Sequence, residues 1–348
     1  MQQLTRRRLE DDEGAAAVVM AILMIPVLGI AALAIDAGAL YAEKAGLQNG
    51  ADAAAVAIAA RCAKGLPTCS TTAYGSDVTA VANANDPVDG LQSIVSVTRP
   101  TARSVRVTTG TRTADGAGIA HPFLTAMNAM LGTPDRPATS LRATATASWS
   151  SPGAADGVLP LAFSLCGVQS ALLGGTKMLL RSDQNNGTPA CLAADGHPIA
   201  GGFGWLATNG TCRATIKAGD LVASDQGNDL PSVCSGLLSP HSLIGRVVQV
   251  PVFDCAAAAD GTCLSVIGQH TGTQSSDRYR IYGFAAFRVT GHRLSGSDSA
   301  TDPSFLGALR CTGNCRGLQG TFIRWSFTDP SPAIPGPDLG ASVVRLSE

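Results

Sequence analysis

Ten cysteines carry the clearest chemistry in this 348-residue sequence: Cys62, Cys69, Cys166, Cys191, Cys212, Cys234, Cys255, Cys263, Cys311 and Cys315. A thiol can serve as a nucleophile, a metal ligand or half of a disulfide, and spacing helps to separate these roles. Cys311 and Cys315 form a C-x-x-x-C without a second half at zinc spacing, so a disulfide is the better reading. Two cysteines precede residue 150 and eight follow it, so each half of the chain can pair internally. Sequence alone leaves the connectivity open. Pairing between neighbours gives Cys62–Cys69, Cys166–Cys191, Cys212–Cys234, Cys255–Cys263 and Cys311–Cys315, each short loop stabilised by about 2–3 kcal/mol when unstrained.

Other reactive side chains do not converge on a recognisable constellation. The sequence holds no G-x-S-x-G elbow, no H-E-x-x-H and no P-loop. His121, His197, His241, His270 and His292 are scattered, most of them beside turn residues. Asp183-Gln-Asn185-Asn186-Gly187 has part of a calcium-loop rhythm without the distal bidentate Glu, and Ser295–Asp302 mixes hydroxyls and carboxylates without an ion-binding order. Both read as turns. No catalytic, metal-ligating or cofactor-binding residue is nominated, and no cofactor is expected. The net charge of −1, with no long basic run, argues against nucleic acid as a partner.

The element that places this chemistry is Ala15–Ile35, AAAVVMAILMIPVLGIAALAI, uncharged throughout, with Pro26 inside it. As a helix it covers roughly 30 Å, the thickness of a hydrocarbon core. Arg6, Arg7 and Arg8 precede it and no Lys or Arg follows until Lys44. That asymmetry predicts a cytoplasmic N-terminus and an extracellular C-terminal bulk, where disulfides persist. The rival topology is a secretory signal cleaved near Ala37-Gly38-Ala39, but the apolar run exceeds the usual h-region. Residues 36–60 continue as an Ala-rich helical pattern with Leu40, Leu47, Ala51, Ala54 and Ile58 on one face. Gly46, Gly50 and Ala54 are in small-xxx-small spacing, suited equally to association with another helix or to packing on the chain's own domain.

Four segments are expected: a cytoplasmic tail at 1–14, the transmembrane helix and its extension at 15–60, a small α/β domain at 61–150, and a β-rich disulfide-containing domain at 158–348. In the third, Ser93–Thr98 and Ser104–Thr109 alternate as a hairpin, Pro122–Leu131 reads as a helix stopped by Gly132, and Thr139–Ser150 is a third strand. Ser151–Gly157 has linker composition. In the fourth, strands are predicted over Val158–Leu165, Lys177–Arg181, Leu243–Phe253, Arg278–His292 and Gly320–Phe327, with Arg278–His292 central and Val343–Leu346 returning at an edge. The fold class is α+β: an N-terminal transmembrane helix extended outward, a small α/β unit, then a mostly-β disulfide-rich domain.

The N-terminal 60 residues resemble the TadE/TadG-like proteins of the tight-adherence (Flp) pilus apparatus. The resemblance rests on Gly14 before the apolar helix, Pro26 within it, Asp36 and Gly38 at its outer end, then Leu47-Gln48-Asn49 and Asp52 in Ala51–Ala55. The later half is similar in texture to longer actinobacterial members, in Leu159-Pro160-Leu161 before Cys166, Gly202–Leu206 before Cys212, and Phe284–Phe287 with Gly291. The resemblance implies a pilin-like third segment and a non-enzymatic, membrane-anchored component of pilus assembly or cell adhesion, with other Tad/Flp pilus or secretion components as partners. One departure stands out. Pilin-like members carry Glu five residues after the cleavage-site Gly, and here Val19 occupies that position. A secreted cell-wall or glycan-binding module, released by signal cleavage and using Trp205, Tyr279 and Trp325 as a sugar platform, is the alternative.

Overall fold

The computed structural model describes residues 2–66, 69, 76–85, 92–112, 118–134, 138–174, 178–181, 191–208, 210–224, 231–238, 243–258, 260–264, 278–294, 299–301, 316–327 and 334–347. The chain divides into two compact units. The first comprises Met1–Ile58, Ser70–Ala147 and Leu346–Glu348, and the second Ala59–Cys69 and Ser148–Arg345.

The first unit is built on one helix, α1 (Gln2–Ala63), which carries Pro26 without ending there. At 1.5 Å of rise per residue it is about 90 Å long. Its apolar window exposes every side chain, with Ile25 75% and Ile30 69% accessible. The outer half changes character: Asp36, Glu43, Gly46, Leu47, Gly50, Ala51, Ala54, Ala55 and Ile58 are buried, a stripe at helical spacing. After α2 (Ser76–Ala84) come β1 (Gln92–Thr98), β2 (Ser104–Thr111), α3 (Pro122–Leu131) and β3 (Arg142–Ser150). β1 and β2 form an antiparallel hairpin with an irregularity between Ile94 and Ser96. β3 lies on the other side of β2. Arg106 Nε donates to Thr146 Oγ1 at 3.1 Å and Thr108 Oγ1 lies 3.1 Å from Thr144 Oγ1, so β2 and β3 run antiparallel. Val105, Val107, Ala143, Ala145 and Ala147 form the buried side of this sheet. Such small residues let a helix approach closely, which an aromatic-poor core requires. The last residues return to this unit, where Ser347 Oγ donates to Thr146 O at 3.4 Å.

The second unit is mostly strand. It runs through β4 (Ala154–Val158), β5 (Leu161–Ser164), α4 (Leu165–Gly174), β6 (Met178–Arg181), β7 (Cys191–Leu192), β8 (Pro198–Ile199), β9 (Phe203–Trp205), β10 (Ala214–Lys217), β11 (Leu221–Ala223), β12 (Val247–Ala257), β13 (Arg278–Arg293), β14 (Ser299–Thr301), β15 (Gly317–Ile323), β16 (Trp325–Phe327) and β17 (Ala341–Ser347). The main sheet has the order β6-β15-β13-β12-β5-β9, with β11 and β14 also pairing with β13. β13 is its central strand, as its length and its four aromatics predict. Phe203, Phe287 and Phe322 surround Phe163, with ring centroids 5.8–6.1 Å from it, and Phe253 packs on Tyr279 at 4.8 Å. Burying each such ring contributes about 1.5–3 kcal/mol. Among the described residues, the first unit has no aromatic cluster of this kind and packs through small aliphatic side chains instead.

Four expected disulfides are present: Cys62–Cys69, Cys166–Cys191, Cys212–Cys234 and Cys255–Cys263. Cys311–Cys315 lies outside the described residues, as does the acidic loop at 183–187.

Four expectations need correction. Val343–Leu346 lies in β17, which has a neighbour on each side and is not an edge strand. Ser151–Gly157 is not a free linker. Ala154–Val158 is a strand paired with β10, and Gly153 N donates to Ile334 O at 2.7 Å while Gly336 N donates to Ser151 O at 2.9 Å. The glycines there permit backbone to approach backbone: a Cβ on Gly153 would sit 2.6 Å from Pro335 O. Gly320–Phe327 is two strands rather than one, because the chain turns at Arg324 and Trp325 N donates to Gly340 O at 2.9 Å. Gly340 has φ +89°, and a Cβ there would meet Ile323 O at 2.6 Å. Nor do Trp205 and Tyr279 form a surface platform. Both are buried in the core, and Trp325 is half-buried with Lys64 Nζ 3.8 Å from its ring centroid.

Candidate functional site

The residues singled out at the N-terminus lie along one helix, and their roles follow from which side of it they occupy. Asp36 stands immediately after the apolar run. It is 7% exposed, and its Oδ2 accepts the backbone N–H of Leu124 at 2.9 Å. Leu124 is in the first turn of α3, whose N-cap residue, His121, makes no side-chain cap. Asp36 therefore caps α3 from another helix, and its charge complements the positive end of the helix dipole. His121 is instead turned to Thr139, its Nε2 2.8 Å from Thr139 Oγ1.

Further out, the helix carbonyls take second hydrogen bonds from the sheet. Gln92 Nε2 donates to Gly46 O at 2.8 Å, and Thr109 Oγ1 donates to Leu47 O at 2.8 Å. A carbonyl has two lone pairs, so these bonds add to the helix rather than compete with it. Lys44 Nζ donates to Arg142 O. Gln48 Nε2 donates both to Asp52 Oδ1 at 2.9 Å and to Thr144 O at 3.3 Å, fastening β3 to the helix. Gly50 leaves room for Gln92: a Cβ at position 50 would lie 2.1 Å from Gln92 Oε1. Of the two uses open to Gly46, Gly50 and Ala54, packing on the chain's own domain is the one observed.

The remaining signature residues are not drawn into this contact. Asn49 is exposed, and Gly38 is exposed with open space where a Cβ would go. Gly14 lies in the part of α1 whose side-chain surroundings are not described. Sequence reading missed the partners rather than the helix residues. Gln92, Thr109 and Leu124 are far away in the chain, and Gln92 opening a strand as a buried polar residue is the one local hint.

A second polar cluster lies in the second unit. Arg280 donates to both oxygens of Asp254, Nε to Oδ1 at 2.8 Å and Nη2 to Oδ2 at 3.1 Å. Its Nη2 also lies 3.2 Å from His197 Nε2. His197 Nδ1 meets the Asp195 carboxylate, and its Nε2 lies 3.1 Å from Asp254 O. Hydrogen bonding from the His197 backbone and ring holds the Asp195 carboxyl below its ordinary range, and the bond to Asp254 raises the Arg280 guanidinium further. Both ring nitrogens of His197 are thus engaged, and no group of three metal-ligating side chains occurs among the described residues. The arrangement ties the β7–β8 hairpin to β12 and β13. An open cleft of about 630 Å³ nearby in sequence is lined by Asp156, Arg213, Thr215 and Asp220 among others. Its carboxylates are already used, Asp156 by Thr215 Oγ1 and Asp220 by Lys217 N.

Residues 14–61 match the model of a family described as putative Flp pilus-assembly TadE/G-like. No curated protein matches the chain. No solved structure matches it either. The match begins at Gly14 and ends at Arg61, so it takes in the apolar run and the outer half of α1 that carries the sheet.

Proposed function

We propose that the protein is a single-pass, non-enzymatic component of Flp pilus assembly or surface adhesion. It is anchored by Ala15–Ile35 and presents its two units outside the cytoplasm to pilus or surface partners. The observation that carries this reading is the coincidence of the family match with one continuous helix. Within residues 14–61 the apolar part exposes its side chains and the outer part serves as the spine of a folded unit. A helix of this kind transmits position from the bilayer to the domain without a flexible joint. The orientation is supported by Arg6–Arg8 before the run and by bridged cysteines that all lie after it.

The segmentation that accompanies this reading is a cytoplasmic tail at 1–14, an anchor and its extension at 15–60, a small pilin-like domain at 61–150, and the β-rich domain at 158–348. Release by cleavage near Ala39 has an observation against it, since cleavage there would remove Asp36, which caps α3. In a piliated strain, deletion of residues 15–60 is expected to abolish the pilus-linked phenotype while the other pilus components remain expressed. Normal piliation in that strain would remove the assembly role.

A further inference from the structure

α3 reads PFLTAMNAML, without a charge, and none of its ten residues is buried. Leu124, Met127 and Asn128, at i, i+3 and i+4, are half-buried, whereas Phe123, Ala126 and Met130 line the other side. Met130 is 89% exposed and Leu131 67%. An apolar face left open on a short helix requires an occupant.

Its position identifies one. α3 is carried by the connection between β2 and β3, within which Ile119 and Thr139 exchange backbone hydrogen bonds at 2.9 and 3.0 Å. β2 runs back along α1, from Thr109 beside Leu47 toward the apolar run, and β3 starts at Arg142 beside Lys44 and runs outward past Gln48. The connection therefore sits at the end of the sheet nearest the apolar run. There the Leu124 N–H is bonded to Asp36, the residue that follows Ile35.

We propose that α3 lies in the lipid–water interface of the leaflet from which α1 emerges, with Phe123, Ala126 and Met130 taken up by lipid. At about 15 Å it is too short to cross a bilayer, and it suits a helix lying in the interfacial plane. Its N-terminus is fixed to α1 at the level where hydrocarbon ends, and the Asp36 carboxylate at that depth gains a partner in the process. The unit then has two membrane contacts, a span and a re-entering arm, which fix its tilt as well as its height. This inference rests on reading Ala15–Ile35 as a membrane span.

The test uses the full chain in vesicles of phosphatidylcholine and phosphatidylglycerol. A photo-crosslinking phenylalanine analogue is placed, one site at a time, at Met130, at Ile25 inside the run, and at Val95 on β1, which is 42% exposed. The expected result is lipid adducts at Ile25 and at Met130, with the yield at Met130 severalfold above that at Val95. Lipid adducts at Ile25 with none at Met130 above the Val95 level overturn the interfacial helix alone. Adducts at Met130 with a second copy or another protein, in place of lipid, overturn it too and assign the face to that protein. Absence of lipid adducts at Ile25 removes the span and this inference with it.

Discussion

Replacing Asp36 with Ala takes the acceptor away from Leu124 N–H and leaves the first turn of α3 uncapped. The expected cost is about 1–2 kcal/mol, confined to the β2–β3 arm, so hydrogen exchange at Leu124 should quicken roughly 5–30-fold while β2 amides are little changed. Two glycines of the same helix should respond in opposite ways. Gly50→Val drives a side chain into Gln92 and should destabilise the first unit by about 1–3 kcal/mol. Gly38→Ala enters open space and should be neutral or stabilising by up to about 1 kcal/mol, both read by denaturant unfolding in detergent. Acid should act on Asp195. Its folded pKa is lowered, so its contribution is present above the ordinary carboxylate range and lost as pH falls through the folded value. The difference in urea midpoint between wild type and Asp195→Asn should therefore exist at neutral pH, begin to shrink below about pH 4, and vanish only below the folded value. The sequence announced Asp36, Gln48 and Asp52 as special, but not what they hold. A carboxylate's partner a long way along the chain leaves no periodic trace, whereas the apolar face of the helix that carries it does.

At the scale of elements, the legible parts were those with local signatures. The Pro at its start and the Gly after its end placed α3, alternation placed β1, β2 and β3, and an aromatic-rich run placed β13 at the centre of its sheet. Neighbour pairing was legible for the four described bridges because each joins cysteines no more than 25 residues apart in the chain. What failed was composition read as flexibility. Ser151–Gly157 has the residues of a linker, yet those same glycines and prolines serve where two backbones touch, and composition does not distinguish the two uses. The bridge between Cys166 and Cys191 closes the widest loop of the four described, at a separation of 25 residues. Replacing both cysteines with Ser should lower the stability of the second unit by about 3–4 kcal/mol, measured as a lower denaturant midpoint with a steeper slope, since the uncrosslinked denatured chain exposes more surface.

For the whole molecule, one uninterrupted helix joins the apolar run to the first folded unit. The proposed role requires that the chain functions with Ala15–Ile35 still attached. The apolar run and the charges around it were visible from composition alone, because the bilayer imposes a length and a polarity that a short window can display. That the outer half of the same helix is the spine of a domain was legible only as a stripe of small residues, with its partner left open. The most direct measurement is intact mass, with N-terminal peptide sequencing, of the native protein in membrane and medium fractions. The account predicts membrane-bound protein whose N-terminal peptide includes the apolar run, beginning at or near Met1. A start at Ala15 would keep the anchor and make the protein a processed filament subunit despite Val19. A start near residue 40, with the protein in the medium, would contradict the account.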